Sequence, residues 1–279
     1  MTDPAVPPGY EVPTSSGPAR VELAGPFAGK DPFAGKDLLT GEDFSAAKAA
    51  PACPAERGRA AVPSAGPVKR GRAAVPSFLL ALTHGAGGSP DTADLLAVRD
   101  CALRLGGAVA MVTQPYRVRG ARAPGSAARQ DAAWTEVIRW LAGDEDVPLI
   151  QGGRSNGARV ACRTASSVGA IGVIALAFPL HPPGRTGDVA DRARRSRADE
   201  LRAARDAGAD VLVVNGDRDP FGIPGTVDAT SVVVLPGESH SLSKKPAAIH
   251  EPVTAWLRDV LRRRDSQTAA EDSSRRGAG

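Results

Sequence analysis

Three separated stretches carry residue types that could do chemistry together. In "PLIQGGRSNGARVACR" (148 to 163), Gly153-Arg154-Ser155-Asn156-Gly157 sets a serine between glycines where an apolar run ends and a helical pattern begins. A strand-to-helix turn this tight brings neighbouring backbones close, so it favours flanking residues without side chains and pushes the serine out above the sheet edge. Chance alone would supply about 0.2 such G-x-S-x-G matches in a chain of this composition, so position and company must add the weight. A serine hydroxyl is a poor nucleophile until a histidine takes its proton and an acid orients that histidine. The later stretches supply both: "VLVVNGDRDPFG" (211 to 222) holds Asp217 and Asp219, and "VVVLPGESHSLS" (232 to 243) holds His240.

Of the two aspartates Asp219 is preferred, because Gly216 can end the strand and the residue three later turns back toward the histidine loop. Asp217 then reads as a turn-stabilising side chain. The other histidines fit less well: His84 lies in a glycine loop, His250 near the start of the last helix, and His181 after a strand and before two prolines, where it could line the site. Acyl transfer also requires donors for the developing oxyanion. The N–H of Asn156, just after the serine, is one candidate, and the loop "LTHGAGGSPD" (82 to 91) offers the Ala86 N–H as the other. That glycine loop lacks the G-x-x-x-x-G-K-[ST] and G-x-G-x-x-G spacings of nucleotide sites, and the cysteines and histidines form no zinc spacing, so no cofactor and no metal are expected.

The elements that must position these residues are legible from Ser77 onward. Short apolar runs at 78–82, 108–112, 147–151, 170–178, 211–214 and 232–235 alternate with amphipathic helices, the pattern of βαβ units in a largely parallel sheet covered on both faces. Ala19, Val21 and Leu23 alternate with Arg20 and Glu22 after a TSSG turn, which predicts an N-terminal antiparallel hairpin and brings the sheet to eight strands. Helical stripes run through Trp134, Val137, Ile138 and Leu141, and through Val253, Trp256, Leu257, Val260 and Leu261; both read as core. The expected organisation is a hairpin within residues 1–24, a low-complexity disordered insertion over 25–76, a core over 77–263 and a disordered tail over 264–279. The insertion contains two tandem copies of "PFAGKD" and two of "RGRAAVPS", in a composition too poor in apolar residues to offset its ordering entropy.

With 279 residues, one α/β domain plus loose ends is the natural size. The net charge of +4 is spread over arginine-rich helices without aromatic interleaving, which argues against nucleic acid as a partner. Three cysteines without CxxC spacing suggest a reducing compartment. No export signal or membrane anchor is visible, so the cytoplasm is the expected location.

Taken in order, "LTHGAGG", "QGGRSNGARVA", "FPLHPPGR", "VNGDRDPFG" and "GESHSL" resemble the small α/β-hydrolases often labelled dienelactone-hydrolase-like, whose hydrolase-like domain also occurs in a scaffold subunit of the animal non-specific-lethal histone acetyltransferase complex. The resemblance covers about residues 77–262, with the hairpin as its first piece. It implies an α/β-hydrolase fold, Ser155, Asp219 and His240 as the triad, and Tyr116, Phe178, His181 and Phe221 as pocket lining. Dienelactone hydrolases themselves use a cysteine nucleophile, so the serine here departs from that activity. The expected function is a serine esterase acting on small soluble acyl substrates, with a catalytically silent interaction module as the alternative.

Overall fold

The computed structural model describes residues 9–26, 76–143, 147–182 and 196–277. The expected insertion lies almost wholly outside the described residues. Eight strands form one sheet in the order β1-β2-β4-β3-β5-β6-β7-β8. β1 (Tyr10–Val12) and β2 (Ala19–Ala24) make the antiparallel hairpin, and β2 pairs antiparallel with β4 (Ala108–Thr113). β3 (Leu79–Thr83), β5 (Leu149–Arg154), β6 (Gly172–Leu176), β7 (Asp210–Gly216) and β8 (Ser231–Leu235) run parallel to β4 and to one another.

Both faces are covered, and the period-two alternation of strand side chains sorts the core into two layers. Along β3, Leu79 and Ala81 face one layer while Phe78, Leu80 and Leu82 face the other. The first layer receives Trp134, Val137 and Ile138 from α3 (Ala127–Ala142), Val160 and Ala161 from α4 (Asn156–Thr164), and Leu201 from α5 (Ala198–Asp206). The second receives Leu95 and Val98 from α1 (Ala93–Arg104) and Val253, Trp256, Leu257 and Val260 from α6 (His250–Gly277). A short helix, α2 (Pro115–Val118), follows β4.

One polar side chain inside the first layer ties the central strand to its helices. Gln151 of β5 is wholly buried; it accepts from Trp134 Nε1 at 2.7 Å and donates to the Ala161 carbonyl at 2.7 Å and to Thr164 Oγ1 at 3.3 Å. Fully satisfied in this way, it fixes α3 and α4 against β5 without an orphaned polar atom.

The last helix differs from the sequence expectation: it continues through Gly277 instead of giving way to a tail at residue 264. Residues 265–270 are solvent-exposed, and the added turns contain no proline or glycine before Gly277, so nothing in them breaks the helix. Ser266 and Thr268 donate back to the Arg262 and Arg264 carbonyls at 3.0 and 3.1 Å.

Candidate active site

β5 ends at Arg154 and α4 begins at Asn156, leaving Ser155 alone to make the turn. Its backbone is held at φ 52°, ψ −110°, a region that side-chain-bearing residues rarely adopt. The flanking glycines make this possible by close approach. A Cβ on Gly153 would lie 2.6 Å from the Gly157 carbonyl carbon and 2.7 Å from the Thr83 oxygen, and one on Gly157 would lie 2.6 Å from that same Thr83 oxygen. Ser155 N–H donates to the Leu176 carbonyl at 2.9 Å, extending the β5–β6 ladder by one residue into the turn.

The other two strand ends reach the serine. β7 stops at Gly216, where a Cβ would fall 2.2 Å from the Glu238 oxygen, and the Arg218 N–H donates to that oxygen at 2.9 Å. The loops after β7 and β8 are thereby stitched together. His240 Nδ1 lies 2.8 Å from Asp219 Oδ2, and its Nε2 lies 2.9 Å from Ser155 Oγ. In the neutral ring this is Nδ1–H donating to the carboxylate and Nε2 accepting from the hydroxyl. The Asp219 side chain is wholly buried, accepts the Phe221 N–H at 2.9 Å on its second oxygen, and meets the Asn215 amide at 3.4 Å. Asn215 also accepts from the Phe178 N–H at 2.8 Å and donates to the Phe178 carbonyl at 3.1 Å, so β6 and β7 both brace the acid. Asp217 instead accepts the Gly237 N–H at 2.8 Å.

The α/β-hydrolase domain family matches residues 76–251. The chain belongs to that family. No curated protein matches the sequence. Among solved structures the chain is similar to Est1E from Butyrivibrio proteoclasticus (13% identity, 91% of this chain and 99% of that one, TM-score 0.59). It is also similar to an α/β serine hydrolase without lid from Xanthomonas campestris (16%, 93% and 97%, TM-score 0.57) and to a dienelactone hydrolase from Anabaena variabilis (14%, 91% and 98%, TM-score 0.54). These likenesses show the α/β-hydrolase fold. Neither described cysteine, Cys101 or Cys162, is at the elbow; both are free and buried, and burial pushes the Cys162 thiol up.

Around the elbow, the glycine loop after β3 of this α/β-hydrolase is anchored by His84. Its wholly buried ring accepts the Gln114 N–H at Nε2 (3.0 Å) and donates from Nδ1 to the Gly85 carbonyl (2.9 Å). That carbonyl also receives the Gly88 N–H at 3.0 Å. Among the described residues no hydrogen bond is found for the N–H of Ala86 or of Asn156. The Asn156 side chain is held by Gln130 Oε1 at 2.6 Å.

Of the expected lining residues, Tyr116 borders a cavity of about 110 Å³ together with Gln114 and Gln130, and burial raises its phenol to about 12. Phe221 packs edge-on against the His240 ring, centroids 4.5 Å apart, and its carbonyl accepts the His181 N–H at 2.8 Å. Phe178 is completely buried and packs in the first core layer. It follows β6 directly, where the positive φ of Ala177 (46°) redirects the chain. Arg154 and Arg159, on either side of the serine, are both engaged. Arg159 makes a two-pronged contact with Glu200 of α5 at 2.9 and 2.6 Å, and Arg154 reaches Asp94 at the start of α1 and the His240 loop.

Proposed function

We propose that the protein is a serine hydrolase that cleaves small carboxylic esters through an acyl-enzyme. The observation that carries this reading is the unbroken chain from Asp219 through His240 to Ser155, with links of 2.8 and 2.9 Å, ending on a serine in the strained elbow conformation. His240 Nε2 takes the hydroxyl proton as Oγ attacks the acyl carbon, and the buried Asp219 carboxylate stabilises the imidazolium. The unengaged N–H groups of Asn156 and Ala86 are assigned to the oxyanion. The imidazolium then protonates the departing alcohol, and water repeats the sequence in reverse to release the acid.

Preference for short acyl groups is inferred from the connection between β6 and β7, which spends part of its length on α5 and leaves little chain for a large lid. The reading is tested by incubating the protein with a fluorophosphonate and weighing it. One adduct, lost in Ser155→Ala, supports it; a folded protein that takes no adduct overturns it in favour of a silent module. Nitrophenyl acetate is expected to be turned over faster than a long-chain nitrophenyl ester, and equal rates would remove the chain-length preference.

A further inference from the structure

Arg154, the residue immediately before the serine, does not point into solvent as a solvated charge would. Its Nη2 donates to the backbone carbonyl of His240 at 2.8 Å, and its Nε pairs with Asp94 Oδ2 at 3.2 Å. The guanidinium also lies against the glycine loop: a Cβ on Gly85 would fall 3.1 Å from Nη1. One planar cation thus touches the start of α1, the loop after β3 and the histidine loop while being part of the elbow itself. Its partner is almost completely enclosed, with the Asp94 side chain only 1% exposed. Asp94 Oδ1 accepts the Leu95 N–H at 3.0 Å, but Oδ2 has no hydrogen-bond partner among the described residues, so the Arg154 charge is its compensation. Burial pushes the Asp94 carboxyl up, and the neighbouring Thr92 hydroxyl and then the Arg154 charge oppose that shift. A buried carboxylate kept beside an arginine is a costly arrangement if stability alone is served, since apolar residues of similar volume stabilise as well or better.

We propose that Arg154, braced by Asp94, is a positioning residue that fixes the backbone of His240 and with it the distance from the imidazole to Ser155 Oγ. The inference rests on the serine-hydrolase reading. Lysine carries the charge but cannot both donate to the His240 carbonyl and lie beside Asp94 from one rigid planar group, so the arrangement is specific to arginine.

The test measures kcat and KM with nitrophenyl acetate for Arg154→Met, Arg154→Lys and Asp94→Asn, each normalised to sites titrated by a fluorophosphonate. Misplacement of a catalytic base by about 1 Å costs on the order of a hundredfold. Arg154→Met is therefore expected to lose roughly ten- to a hundredfold in kcat per titrated site, with KM within about threefold. Arg154→Lys should recover part of the loss, and added ethylguanidinium should raise kcat of the methionine variant while doing nothing for Ser155→Ala. Unchanged kcat per titrated site in Arg154→Met, or a loss seen only as fewer titratable sites, overturns the proposal. Should the methionine variant fail to fold, Asp94→Asn with wild-type kcat overturns it equally. A wild-type protein that neither reacts with the fluorophosphonate nor cleaves any ester removes the serine-hydrolase reading, and this inference with it; an active wild type with an indifferent Arg154 removes this inference alone.

Discussion

Asp219 has two oxygens and a different task for each: one faces the His240 ring, the other is spent on the Phe221 N–H. On the proposed mechanism Asp219→Asn keeps the shape but presents an amide that favours the wrong imidazole tautomer, and kcat should fall by about 10³–10⁴-fold with little change in KM, as steady-state kinetics on nitrophenyl acetate would reveal. The types, spacing and chain order of Ser155, Asp219 and His240 were legible because each stands at the end of an apolar run. Asn215 and Arg154 were not. Asn215 is embedded in the strand run "VLVVNG", and its role depends on the segment just after β6 passing beside it; the role of Arg154 depends on the start of α1 and two loops converging around its guanidinium. Neither convergence leaves a local mark in sequence, whereas the G-x-S-x-G spacing does.

The turn between β5 and α4 is fixed by space that only glycine leaves. Gly157→Ala would drive a methyl into the Thr83 and His84 carbonyl oxygens, 2.6 and 2.7 Å away, and backbone atoms cannot step aside as a flexible side chain can. The expected cost is about 1–3 kcal/mol, read as a lower urea midpoint at unchanged m-value, accompanied by loss of activity. The loop after β3 carries a pH dependence of its own. Burial lowers the His84 pKa below its ordinary 6.5, so as pH falls through that value the unfolded chain binds a proton that the folded one refuses, and stability drops. Between pH 7.5 and 5.5 His84 should account for up to about 1.4 kcal/mol of lost stability, measured as the difference in urea unfolding between wild type and His84→Gln. The strand runs were legible in number and order, but their ends moved. β5 extends past residue 151 through Gly152 and Gly153, because Gly152 must clear the Ile174 carbonyl, where a Cβ would sit at 2.6 Å. β6 stops at Leu176, short of the apolar run's end, because Ala177 turns the chain. Hydrophobicity reports burial, and burial continues where the strand geometry does not.

Across the whole molecule, the described helices include none long and apolar enough to cross a membrane. Residues 265–270 of α6 are exposed and no described residue beyond Val260 is in the buried core, so deleting residues 265–277 should change the unfolding free energy by less than about 0.5 kcal/mol and leave the proposed ester turnover intact; a larger loss would mean that these turns pack against something. The sheet itself is uneven in its protection. Among the described residues β8 pairs only with β7, most of its residues are partly exposed, and Val234 stands 42% open to solvent. His240 hangs from the end of this margin, two strands beyond the nearest neighbour of the serine's own strand. Peripheral strands are the first to fray when a domain is stressed. Inactivation in dilute denaturant is therefore expected to run ahead of the fluorescence change of Trp134 and Trp256, read in a Trp140→Phe background, since those indoles witness the melting of the interior while turnover witnesses only the loosening of its outermost ribbon.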